Sequence, residues 1–235
     1  LRGRYDVVLK VVARNPGRSH NELVQAIREA SGNPETQIGG YLKVLIERFR
    51  VIEKKLPVFA QPQAKRSRYY VTDNFLRSWL AALANPVSAI AFRPVEQLVQ
   101  EADQRLQETE GLALEKLAGQ LYEERSRKQV GDFPLTQRVQ GYWDRADTEI
   151  DLVAVNQAAK VIRFGSCKRS PDRLLSDVNH FKGHVGRFLE AMPKYQGWKQ
   201  EYVGIAPSLD AGQRAILARH GVIPQDLTDL TSDLA

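Results

Sequence analysis

"EIDLVAVNQAAKVIRFGSCKRS" (residues 149–170) holds two apolar runs joined by the polar segment "NQAAK" (156–160). Two β-rich runs with so short a polar join predict a hairpin. Side chains alternate along a strand, so Glu149 and Asp151 share one face of the first run and Ser166 and Lys168 one face of the second. If the two runs pair in register, Asp151 and Lys168 approach each other. Cys167 falls on the opposite face, where a buried core position suits it better than a nucleophile's role.

On the N-terminal side, "GLALEKLAGQLYEER" (111–125) predicts a helix that turns Leu114, Leu117, Ala118 and Leu121 to a core and leaves Glu115 at the stripe's edge. "QRVQGYWDR" (137–145) reads as a strand and "ADT" as a polar turn. Beyond the hairpin come a long helix over 171–192, a strand "EYVGIA" (201–206) and a helix "DAGQRAILARH" (210–220). Helix, three strands, helix and strand predict a mixed sheet flanked by helices. Glu115 would then reach the hairpin from its helix. Carboxylates converging with Asp151 are hard oxygen ligands for Mg²⁺, and a lysine at Lys168 suits the orientation of water or the charge growing on a phosphate.

The N-terminal segment has a different character. "YDVVLKVVARNPG" (5–17) sets Val7, Val8, Val11 and Val12 at helical spacing before a Pro-Gly stop. Ser19 and Glu22 form a capping box ahead of Leu23, Ala26 and Ile27. A third helix carries Ile38, Tyr41, Leu42, Leu45, Ile46 and Phe49 in one stripe. Two strand-like runs, "RVIEKKLPVF" (50–59) and "SRYYVTD" (67–73), come next around a polar loop. Three short helices and a basic hairpin make the winged-helix pattern, with Gln37, Gly39, Gly40 and Lys43 opposite the third helix's apolar stripe. Lys54, Lys55, Lys65, Arg66 and Arg68 on the hairpin suit phosphate contacts, which give affinity without sequence information. Two glycines and no arginine at the third helix's start favour no base reading. Contact with duplex DNA and docking of a protein both stay open.

Charge separates the segments further. Residues 1–70 hold 14 Lys+Arg against 6 Asp+Glu, a balance of +8, while the other 165 residues hold 20 against 22. The whole basic excess thus lies in the first segment and points to an anionic partner there. Between the two lies a helical connector. "DNFLRSWLAALANP" (73–86) is amphipathic, with Phe75, Trp79 and Leu83 on a face expected to pack in a core and Pro86 expected to end the helix. "VEQLVQEADQRLQETEG" (95–111) reads as a separate charged helix. His180 and His184 stand i, i+4 on the long helix, but Phe181 breaks the zinc-protease pattern HExxH, and solvation or helix packing is the expected role.

The lone cysteine excludes an internal disulfide and fits a reducing cytoplasm, and no apolar run reaches membrane-span length. No GxxxxGK[ST] loop occurs, so ATP binding through a P-loop is excluded for these residues. With a Leu1 start and a single methionine, Met192, the chain reads as a piece of a longer polypeptide.

A helical glutamate, a strand aspartate and then a lysine on the next strand resemble the PD-(D/E)XK nuclease superfamily, whose core has the same α-β-β-β-α-β order. More closely, the chain looks like the C-terminal part of a family of archaeal and bacterial ATPases. In these, a P-loop domain precedes a winged helix and a nuclease-like domain of poorly known function. The resemblance is carried by "YYVTDNFLRSWL", "GLALEKLAGQLY", "GYWDRADTEIDLVAV" and "GSCKRS" and covers nearly the whole chain. It places the family's helical acid on Glu115, its strand aspartate on Asp151 and its lysine on Lys168. Its usual glutamate falls on Ser166, a neutral hydroxyl and a poor Mg²⁺ ligand.

The expected architecture is therefore α+β: a winged helix-turn-helix (1–73), a helical connector (74–110) and a degenerate restriction-endonuclease-like domain (111–235). The expected role is nucleic-acid binding as the output end of a larger ATPase on the same polypeptide. The alternatives are a protein-interaction or regulatory module that could assemble homo-oligomers, or a Mg²⁺-dependent nuclease with metal on Asp151 and Glu115.

Overall fold

In the computed structural model, residues 3–32 and 38–234 are described, so Gln37 lies outside the described residues. The fold is mixed α and β and divides into two compact units, Leu1–Thr109 and Glu110–Ala235. Among the described residues, no helix is long and apolar enough to cross a membrane.

The first unit begins with α1 (Arg4–Arg14), α2 (His20–Ser31) and α3 (Ile38–Glu47). The predicted capping box starts α2: the Ser19 hydroxyl accepts the Glu22 N–H and the Glu22 carboxylate accepts the Ser19 N–H, so two free helix donors are satisfied. Val8, Val12, Leu23, Ile27, Leu42 and Leu45 interlock as the core. Each such side chain, fully buried, stabilises the unit by about 1.5–3 kcal/mol. Phe49 lies past the end of α3 and is exposed, so the apolar stripe ends one turn earlier than its sequence spacing predicts.

β1 (Ile52–Lys55) and β2 (Arg68–Val71) pair antiparallel, with Ile52 opposite Val71. A third stretch joins them where Arg18 bridges Tyr69, through the Tyr69 N–H to the Arg18 carbonyl at 3.1 Å. Glycine is required just before this bridge. Gly17 has φ +80°, and a Cβ there would sit 3.2 Å from the Tyr70 hydroxyl.

The segment after β2 departs from expectation. α4 (Asn74–Ser78), capped by Asp73 accepting the Leu76 N–H at 2.6 Å, runs into a π-helical turn (Trp79–Leu83) and then α5 (Ala84–Ala89). The helix passes through Pro86. The wide π turn comes just before a residue whose missing N–H and bulky ring would oppose an α-turn there. Phe75 is 75% exposed and Trp79 is also exposed, which corrects the expected core face. The buried side is Arg77, Leu80, Ala81 and Ala82, and Leu80 and Ala81 join the core of the first three helices.

α6 (Val95–Arg127) is one helix where the sequence suggested two. A single helical glycine costs about 1 kcal/mol relative to alanine, too little by itself to end a helix at Gly111. Leu114, Ala118 and Tyr122 are its buried stripe in the second unit, while Leu117 points outward, correcting its predicted place in the core.

The second unit's sheet has the order β3-β4-β5-β6-β7, built from β3 (Gln140–Trp143), β4 (Glu149–Asn156), β5 (Val161–Cys167), β6 (Lys199–Ile205) and β7 (Ile223–Gln225). β3, β4 and β5 are antiparallel, and β6 joins β5 in parallel after the crossover helix α7 (Pro171–Ala191). β7 continues the parallel side after α8 (Ala211–Arg219), and α9 (Leu227–Thr231) closes the chain. Leu152, Ala154, Cys167, Val203 and Ile205 pack on the α6 face. Tyr142 and Phe164 pack on Phe188 of α7, with ring centroids 4.8 and 5.1 Å apart.

Candidate functional site

The hairpin pairs in register, with Leu152 opposite Gly165 and Val153 opposite Phe164. That register places Asp151 across from Ser166 and brings Lys168, one residue past β5, within reach. The Asp151 carboxylate accepts the Cys167 N–H at 2.8 Å and the Lys168 ammonium at 3.3 Å. Glu115 of α6 joins the rim of the same cleft, of about 670 Å³, with Glu149, Asp151, Ser166 and Lys168. The sequence's four site positions are thus gathered in one place.

Other lining residues had not been assigned to a site. Asp147 sits at φ +56° in the β3–β4 turn, which Asp144 folds by accepting the Ala146 and Thr148 N–H groups at 2.7 and 3.0 Å. Aspartate tolerates this left-handed conformation better than most residues, and "DRAD" carries that turn chemistry in the sequence. From α7 come Arg173, Asp177, His180 and His184. Three- and four-residue spacing on one helix aligns the last three, a signal that the sequence itself carries.

Their hydrogen bonds order a chain of groups. The Glu149 N–H donates to His184 Nδ1 at 2.9 Å, which leaves the His184 proton on Nε2, facing His180 at 3.1 Å. His180 Nδ1 lies 3.2 Å from Asp177, whose other carboxylate oxygen is 3.7 Å from Lys168. His184 is buried and packs within α7, while His180 is exposed. Burial, then the neighbouring His180 and Arg187, lowers the His184 pKa and keeps the ring neutral.

Electrostatics at the Asp–Lys pair derive from depth. Burial raises the Asp151 carboxyl above its ordinary value, against the pull of Lys168 and the Cys167 N–H. Burial lowers Lys168, but the charges of Asp151 and Asp177 outweigh it and leave the ammonium above its ordinary pKa. The Cys167 thiol is pushed well up by burial and by the Asp151 and Glu115 carboxylates, so it is no nucleophile.

The donor set does not fit Mg²⁺. One Asp151 oxygen is shared between a backbone N–H and an ammonium, and Ser166 brings no charge. Among the described residues, no three His, Cys, Asp or Glu side chains are gathered so that they could hold a metal ion.

The first unit's candidate surface is the hairpin. Lys54 and Lys65 are exposed, and Arg66 and Arg68 are half-buried. Lys55 pairs with Glu53 at 3.1 Å and lies 5.2 Å from the Tyr70 ring centroid. Lys43 on α3 is exposed and 4.0 Å from Glu47, beside the exposed Gly39 and Gly40.

Residues 79–182 match a family described as archaeal and bacterial proteins of unknown function. The match spans Glu115, Asp151, Ser166 and Lys168 and leaves out the hairpin. An uncharacterized protein of Methanocaldococcus jannaschii is 28% identical over 150 residues, 63% of this chain. The chain spans about a third (33%) of that relative's length. No solved structure matches the chain.

Proposed function

We propose that this chain is the nucleic-acid-binding region of a larger ATPase, in which a winged helix grips duplex phosphates and a nuclease-like domain has lost hydrolysis. The observation that carries the reading is the hairpin. The chain's basic excess lies in its first 70 residues, and Lys54 and Lys65 present charge to solvent there. Phosphate contacts need cations of this kind on an accessible, adaptable element. The winged-helix reading is supported by three helices ahead of two antiparallel strands, and by the short third stretch at Arg18 between α1 and α2.

For the second unit, support comes from the antiparallel β3-β4-β5 ladder, the parallel β6 after α7, and Asp151 beside Lys168. Loss of hydrolysis is expected from Ser166, which brings no charge, and from an Asp151 oxygen already held by Lys168 and the Cys167 N–H. Glu115, Asp147, Glu149, Asp151 and Asp177 outnumber Lys168 and Arg173 in the cleft. That excess repels bare phosphate and supports the reading that backbone contact belongs to the hairpin.

The same excess favours a second reading for this cleft, a protein partner's Lys or Arg side chain, as in a module that regulates the ATPase. The link to an ATPase rests on the family resemblance and on a relative three times the matched length. A native gene with no nucleotide-binding domain on the same product would remove it.

The binding claim is tested by changing Lys65, Arg66 and Arg68 together to alanine and titrating a labelled duplex. The expected result is weaker binding of any sequence and a flatter salt dependence. Unchanged affinity and slope would transfer the hairpin to protein docking.

A further inference from the structure

The first unit contains a second cavity, of about 300 Å³, where the end of α1 meets α4, the π turn and α6. Its charged lining is Arg14, Arg77, Arg105 and Glu108, three guanidinium groups against one carboxylate. Arg77 is 1% exposed, and its Nη2 donates to the Thr109 carbonyl at 2.7 Å, which fixes the plane of the fork. Arg14 is the last residue of α1 and is exposed; Arg105 is half-buried on α6. Among the described residues, neither Arg14 nor Arg105 has a carboxylate within ion-pair distance. Glu101, which Arg105 also influences, is already held by Arg93 through two hydrogen bonds.

We propose that this cavity binds a phosphoryl group, with Arg14 and Arg105 as its accessible clamps and Arg77 as its buried wall. Arg14 and Arg105 line, with the buried Arg77, a space whose one carboxylate is Glu108, and an oxyanion supplies charge opposite the two accessible guanidinium groups. Guanidinium forks match phosphate oxygens bidentately, which makes arginine the fitting residue and lysine a weaker one. The volume lies at the small end of ligand sites, about 300–1,000 Å³, and suits a phosphate or phosphomonoester over a larger molecule. The cavity is separate from the hairpin, none of whose basic residues lines it.

The phosphoryl group has two sources, a free phosphate compound or a nucleic-acid backbone. Calorimetric titration of the full chain with inorganic phosphate, at constant ionic strength, tests the site. Saturable one-site binding is expected, and Arg105→Ala or Arg14→Ala should weaken it about tenfold or more, the worth of a charge-assisted hydrogen bond. Arg105→Lys should fall between. Both positions lie outside the unit's core, and a circular-dichroism melt of each variant confirms that it is folded; buried Arg77 is left unchanged. Competition between phosphate and a short duplex identifies the backbone as the source, and independent binding identifies a free phosphate. Absence of saturable binding, or equal affinity in the folded Arg105→Ala variant, would overturn the proposal whatever the hairpin variant does.

Discussion

The two units use charge in opposite ways. On the hairpin of the first, Lys54 and Lys65 face solvent. In the second, Arg163 is 2% exposed, with its guanidinium bonded to Asp132 at 2.7 Å, Glu201 at 2.7 Å and the Tyr122 hydroxyl at 3.3 Å. Lys168 is likewise engaged by Asp151 and Asp177. An exposed cation adds little to folding but remains available to a partner, whereas a buried, bonded one is committed to the fold. Two surfaces with similar residue types can therefore differ wholly in what they offer a ligand.

The largest effect should come from breaking the inward arrangement. Arg163→Ala leaves Glu201 half-buried with only Lys199 beside it and Asp132 without its guanidinium, and should cost the second unit about 3 kcal/mol, read by urea denaturation. Duplex affinity of the folded variant should not change. A loss below about 1 kcal/mol would mean the network is no more committed than a surface pair.

Next in size is the hairpin triple variant at Lys65, Arg66 and Arg68. Stability should fall by no more than about 1 kcal/mol, while the slope of log affinity against log salt shrinks by about 1 for each phosphate that the variant no longer touches. A variant with reduced stability but an unchanged slope would reverse the roles given to the two units.

A change of pH separates the units without mutation. The Arg163 hydrogen bond holds Asp132 below its ordinary pKa. Burial raises Glu201, but its bonds to Lys199 and Arg163 outweigh that and leave it lowered too. Carboxyls depressed on folding contribute stability that is complete above their unfolded values and lost as pH falls through the folded ones. Acid below about pH 4 should therefore weaken the second unit, and Arg163→Ala should flatten that acid limb. A limb of equal steepness in the variant would assign it to other groups.

Ser166→Glu adds a carboxylate facing Asp151. Calorimetry should find no Mg²⁺ binding to the unaltered chain at millimolar concentration and measurable binding to the variant. Robust Mg²⁺-dependent cleavage by the unaltered chain, abolished by Asp151→Ala, would contradict the loss of hydrolysis.

The smallest effect belongs to His184. Its pKa is lowered on folding, so its contribution is present above its unfolded value and declines as pH falls below about 6.5. Glu149, Asp177, His180 and Arg187 are the charged and titratable groups around it. His184→Gln should remove that shallow decline from the melting profile; its persistence would place the cause elsewhere.

Much of the fold was legible in the sequence because it is local. The Ser19–Glu22 box, the stripes of α1 to α3, and the Asp151–Lys168 approach all arise from spacing within a few residues or one short hairpin. The misses are long-range. Phe75 and Trp79 share a helical face by spacing, but the side that buries is set by packing of Leu80 and Ala81 on distant helices. β7 is three residues long and needs a parallel neighbour already in place, so no periodicity announces it. Asp147 and His180 reach the cleft only once the sheet and α7 are assembled, although the turn and helix spacing that aim them were visible. Arg163 gave no signal: a lone arginine in an apolar strand reads as an edge until Asp132 and Glu201 are seen around it.

Hydrogen exchange with and without a saturating duplex compares both surfaces in one sample, and so decides which of them meets nucleic acid. The loop over 56–67 and the cleft rims over 144–148 and 168–172 are the segments to follow. New protection is expected in the hairpin loop, with the rims unchanged. Protection of the cleft rims beside an unchanged hairpin loop would refute the assignment of duplex binding to the first unit.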